Sequence, residues 1–203
     1  MDPCISLRPR VGVPSEARAT FFTVLAPAAV WVFGFPSTSF ALFPVILRDA
    51  IGGTNDVLVA GITGTTTALA ALLSRPVLRR ASSSIEGLKI AMWIGVVGYV
   101  LGTTAFVTDI WQLIPVAAVA LGAASGTLLT AGLAITESLA DSSNRGALNA
   151  TFYFGTYIGM AMPVVIAFLA TGVSLNIALG IVTAAALLVA VHLTARPYRP
   201  RVT

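Results

Sequence analysis

Charge is what this sequence holds least of. Asp, Glu, Lys and Arg make up 10% of its 203 residues, against about 25% in an ordinary soluble domain. A water-facing surface cannot be assembled from so few charges, which excludes a soluble globular protein. Cysteine occurs once, as Cys4, so an intrachain disulfide and a cysteine-ligated metal site are both excluded. Histidine also occurs once, as His192. No metal and no cofactor is expected. Strict alternation of apolar and polar residues is missing too, and with it the pattern of a membrane barrel.

What is present is apolar length. Hydrophobic residues account for 57% of the chain and the mean hydropathy is +0.91. A bilayer core needs roughly 20 apolar residues per helix, because lipid offers no partner to an unpaired backbone group. Six stretches qualify: Phe21–Leu47, Val57–Ser74, Leu88–Thr108, Trp111–Ile135, Leu148–Thr171 and Leu175–Ala195. The reading is an all-α integral membrane protein with six transmembrane helices. Residues 1–19 form a cytoplasmic N-terminal segment, 20–195 the transmembrane domain and 196–203 a cytoplasmic tail. The N-terminal segment is too polar and the first span too long for a secretory signal.

Orientation follows from the basic residues, since positive loops resist translocation. Eleven of the twelve fall on one side of the spans, leaving only Arg48 on the other. Both termini are therefore expected in the cytoplasm, with the protein multi-pass in the cell inner (plasma) membrane. The net charge of +4 reads as topology plus attraction to anionic lipid, and no nucleic acid is expected as a partner. The short connections at Asp109–Ile110 and around Gly172–Ser174 predict antiparallel neighbours. Gly52-Gly53 followed by Thr54-Asn55-Asp56, and Asp141-Ser142-Ser143-Asn144, predict turns with N-cap chemistry for the second and fifth helices.

Several span residues exceed what a lipid anchor needs. The first helix carries Pro27, Gly34, Pro36 and Pro44, with Ser37-Thr38-Ser39 beside the middle proline. Each interior proline removes a helical hydrogen bond, so a bent helix is expected with hydroxyls near the freed carbonyls. Trp31, Phe35 and Thr38 share one face, suited either to a cavity wall or to kinked packing. In the second helix Gly61, Thr63, Gly64 and Thr65 to Thr67 suit either an aqueous face or close helix contact. Gly122 and Gly126, and Gly155 and Gly159, are small-residue stripes that let backbones approach. Thr127 and Thr130 follow the first stripe. Asn149, Tyr153 and Tyr157 lie at four-residue spacing on a face apart from the second. No carboxylate, Lys or Arg sits at mid-membrane depth, so no proton or ion route is legible within the spans.

Catalysis is disfavoured. Ser125-Gly126 with His192 superficially suits an intramembrane serine protease, yet Ala123 stands where the preceding glycine of that motif belongs. The second helix also supplies no His or Asn to stabilise an oxyanion. An aquaporin-like channel lacks its Asn-Pro-Ala element.

Four segments carry a family resemblance. Arg8-Pro9-Arg10-Val11-Gly12-Val13-Pro14-Ser15-Glu16-Ala17-Arg18 resembles the end of the central cytoplasmic loop of a major facilitator superfamily transporter, leading into its seventh helix. The Trp- and Pro-containing span from Trp31 to Pro44 is similar to that helix in bacterial drug-efflux-type members. Ala71-Leu72-Leu73-Ser74-Arg75-Pro76-Val77-Leu78-Arg79-Arg80 resembles a degenerate copy of the family's loop motif, with Arg75 where its aspartate stands. Asn144-Arg145-Gly146-Ala147, running to Phe154-Gly155-Thr156-Tyr157-Ile158-Gly159, is similar to the start of the eleventh helix.

The resemblance implies half of a major facilitator fold, helices seven to twelve, built as two inverted three-helix repeats. It implies a half-size transporter subunit that moves a small-molecule solute by alternating access. Its partners would be the lipid bilayer and either an N-terminal transporter half or a second copy in a homodimer. The alternative is a truncated, non-transporting membrane fragment or assembly subunit. Substrate contacts are expected from Trp31, Ser37, Thr38, Thr127, Thr130, Tyr153 and Tyr157.

Overall fold

The computed structural model describes residues 12–51, 56–81, 84–140 and 144–195. Cys4, the expected turn at Gly52 to Asn55, Asp141 to Ser143 and the arginines at 8, 10, 196, 199 and 201 lie outside the described residues. So do the side chains of Arg48, Asp56, Arg79 and Arg80.

Six helices long and apolar enough to cross a membrane fill the described chain, and no strand occurs among those residues. Helix α1 opens with one turn at Arg18–Thr20, passes through a π-helical turn at Phe21–Leu25 and continues as Ala26–Ile51. The wider turn falls immediately before Pro27, the usual place for a helix to absorb a missing N–H. Helix α2 is Asp56–Ala81, α3 is Ser84–Thr108 and α4 is Leu113–Leu139. Helix α5 has two arms, Arg145–Ile158 and Met162–Gly172, joined by a 3-10 turn at Gly159–Ala161 ahead of Pro163. Helix α6 is Leu175–Ala195.

The spans match the sequence expectation to within a few residues at most ends. Trp111 is a correction: it stands in the turn before α4, which starts at Leu113. Asp109 ends α3 in the left-handed region at φ 56°, and Trp111 N–H then closes the turn onto Asp109 O at 3.1 Å. Asn144 is a second correction. It holds the N-cap position of α5, but its side chain makes no capping bond, and the cap carbonyl instead accepts from Leu148 N–H at 3.0 Å.

Helix α4 is the axis of the bundle. Of its apolar window 56% is buried, against 11% for α2, and it packs on α1, α2 and α3. Two close crossings organise the rest. A Cβ at Gly122 or Gly126 would run into the carbonyls of Thr67 and Ala71, so α2 lies directly on the glycine stripe of α4. A Cβ at Gly159 would run into Val30 O, and one at Gly155 would press on Ala29, so α1 lies on the stripe of α5 in the same way. Exchanging the first three helices with the last three turns the α2–α4 crossing into the α5–α1 crossing. That is the signature of two three-helix repeats.

Candidate functional site

Proline decides the local chemistry of α1. Pro36 has no N–H to return to Val32 O, and Ser125 Oγ, reaching across from α4, donates to that carbonyl at 2.6 Å. Pro27 likewise cannot serve Thr23 O, and His192 Nε2 of α6 lies 3.1 Å from it. A carbonyl only accepts, so this geometry requires the proton on Nε2. In α5, Pro163 leaves Gly159 O, which takes Met162 N–H through the 3-10 turn and Ser37 Oγ of α1 at 3.2 Å. Ser125 and His192 are therefore occupied with carbonyls nine residues apart on α1. At 1.5 Å per residue that is about 13 Å along the helix axis, which removes the protease pairing.

Helix α1 has an inner and an outer face. On the inner face Trp31 meets Tyr99 of α3 edge-on at 5.9 Å, and Phe35 meets it at 5.4 Å. Phe35 occupies the space that a side chain at Gly95 would need. Thr38 Oγ1 donates to Gly34 O at 2.8 Å and lies 2.7 Å from the Tyr99 hydroxyl. Trp31 and Thr38 are both buried. The face expected to suit either a cavity wall or packing is thus packed against α3.

The outer face carries Phe33, Ser37 and Phe40, which are half-buried or exposed. Phe33 stacks on Tyr157 of α5 at 5.4 Å, and Tyr157 is 60% exposed. Tyr153, one turn earlier, is half-buried. Asn149, another turn back, has its Oδ1 buried with no hydrogen-bond partner. Unmet acceptors of this kind are rare in finished interiors.

The hydroxyl run of α2 divides between its two readings. Thr63 and Thr67 are buried, and Thr67 Oγ1 lies 2.9 Å from Ser39 Oγ. Thr65 and Thr66 instead join Val57, Leu58, Gly61 and Ile62 along an open depression of about 610 Å³. On α4, Thr127 and Thr130 spend their hydroxyls on their own helix, donating to Ala123 O at 2.8 Å and Gly126 O at 2.9 Å.

The seven expected contact residues therefore occupy three neighbourhoods. Trp31 and Thr38 sit in the α1–α3 interior. Ser37, Tyr153 and Tyr157 belong to the outer α1–α5 strip, and Thr127 and Thr130 belong to α4. Sequence reasoning missed Tyr99 and Phe33. The dense glycines of α3 around Tyr99, at Gly95, Gly98 and Gly102, were the available sign that a large ring and its neighbours are seated there. Among the described residues no three His, Cys, Asp or Glu side chains gather as a metal site requires.

The sequence model of the Major Facilitator Superfamily matches residues 19–203 of the chain. No curated protein and no solved structure matches it.

Proposed function

The chain belongs to the major facilitator superfamily of membrane transporters, and from that premise we propose that its six helices act as a half-size subunit, one half of an alternating-access transporter. The second half is a separate six-helix chain or a second copy of this one. The solute is small and amphipathic or drug-like, and it meets the outer strip of α1 and α5 at Phe33, Ser37, Tyr153 and Tyr157. The protein lies in the cell inner membrane with both termini in the cytoplasm.

The observation that supports this most is the strip itself. The half-buried rings of Phe33 and Tyr153 and the exposed Tyr157 lie along two adjacent helices, with the Ser37 hydroxyl bonded to Gly34 O and Gly159 O between those helices, beside an acceptor on Asn149 that has no hydrogen-bond partner. Aromatic walls with a few polar groups are the usual lining of a small-molecule site. In this reading Thr127, Thr130, Trp31 and Thr38 hold the helices that present the strip.

Solute flux into or out of lipid vesicles tests it, with the chain alone and paired with candidate amino-terminal halves. Flux in any combination, reduced by substitution at Tyr157, is the expected result. Inertness in every combination overturns it and favours a non-transporting assembly subunit. That second reading draws on the lack, among the described residues, of any carboxylate, Lys or Arg in the middle of a span.

A further inference from the structure

Away from the α1–α5 strip, α3 and the end of α6 border an open groove of about 380 Å³ at one end of the bundle, lined by Lys89, Ile90, Trp93, Ile94, Val97 and Thr194. Its composition is graded. Lys89 stands at the head, in the second turn of α3, and everything beyond it toward Val97 is apolar apart from Thr194 at the rim. From Lys89 to Val97 the groove follows two helical turns, about 12 Å along the axis. The indole is fixed in place: Trp93 Nε1 donates to Thr194 Oγ1 at 3.1 Å, and Thr194 Oγ1 in turn donates to Ala190 O at 2.8 Å. The one polar atom of the tryptophan is thereby spent on protein, leaving its rings as wall. Lys89 pairs with no carboxylate among the described residues. In sequence, Arg196 follows Thr194 by two positions, with Arg199 and Arg201 beyond.

A cation at one end of an open apolar groove running toward the bilayer centre complements a molecule with an anionic head and a hydrocarbon tail. A partner helix would not call for the charge, and a soluble anion would not call for the apolar groove. We propose that this groove is a binding site for an anionic phospholipid of the leaflet on the side of Lys89. The phosphate pairs with Lys89 and one acyl chain lies against Ile90, Trp93 and Val97.

The test titrates the purified full chain in detergent with phosphatidylglycerol or phosphatidylcholine bearing brominated acyl chains, following quenching of tryptophan fluorescence. Phosphatidylglycerol is expected to quench at lower concentration than phosphatidylcholine, and Trp93→Phe to remove the selective part of the signal. Lys89→Gln should raise the half-quenching concentration of phosphatidylglycerol about fivefold, the weight of one basic residue at an anionic surface. It should leave the phosphatidylcholine curve in place, while Lys89→Arg retains the wild-type behaviour. Equal quenching by the two lipids overturns the proposal. So does a Lys89→Gln shift common to both, or selective quenching that survives Trp93→Phe.

Discussion

Ser125 Oγ donates to the carbonyl of Val32 at 2.6 Å, and Val32 O is the acceptor that Pro36 leaves unserved four residues on. Hydrogen bonds between helices of folded membrane proteins contribute about 0.6 kcal/mol on average and up to about 1.7 kcal/mol. Ser125→Ala should lose about that much in a denaturation titration in mixed micelles. The loss should shrink in a Pro36→Ala background, where the backbone serves Val32 O itself. Equal losses in both backgrounds would show that the serine is not answering the proline.

The two glycine crossings predict a contrast in stability. Gly126→Ala and Gly159→Ala force a methyl group into the carbonyls of Ala71 and Val30, and overpacking of that kind costs about 1–3 kcal/mol. Gly180→Ala meets nothing within 4 Å and should show no loss. Melting of the three variants in one detergent measures the difference.

Tyr99, Thr38 and Gly34 O form a closed set inside the bundle. Tyr99→Phe leaves Thr38 bonded to Gly34 O and should cost about 1 kcal/mol. Thr38→Val leaves the tyrosine hydroxyl only the Gly34 carbonyl, at 3.4 Å, and should cost more. Changing both together should cost less than the two single losses added, which a double-mutant cycle reads directly.

Exposure separates the strip from the interior. Tyr157→Ala should leave folding and melting unchanged while weakening solute affinity about tenfold, the scale of a lost aromatic contact. Trp31→Ala opens a hole against Tyr99 and Phe35 and should destabilise by about 3–5 kcal/mol. If Tyr157→Ala spares transport in an active preparation, the strip is not the solute wall.

Hydropathy alone located six spans, because a segment buried in lipid must be apolar throughout and long enough to satisfy its own backbone. The glycine stripes were equally legible as close contacts, since only small residues allow helix axes to approach. The direction of each face was not. In a soluble helix the polar side points outward, but the apolar residues of α1 run right round it and its consecutive Ser37, Thr38 and Ser39 point to different sides, so Trp31, Phe35 and Thr38 could be seen to share a face and not which way that face turns. Ser125 and His192 were visible as odd residues in apolar helices. Their acceptors, Val32 O and Thr23 O, lie 93 and 169 positions away in the chain, and no local pattern announces a partner at that distance.

That separation bears on how the protein is made. Within these six helices α1 leaves the ribosome before the others, carrying carbonyls that its own prolines cannot serve, and the side chains that answer them arrive only with α4 and α6. A nascent chain halted before α4 holds an unmet acceptor in hydrocarbon, the kind of defect that membrane quality control can detect. The first bend of α1 is therefore secured only once α6 has been inserted and the His192 imidazole reaches Thr23.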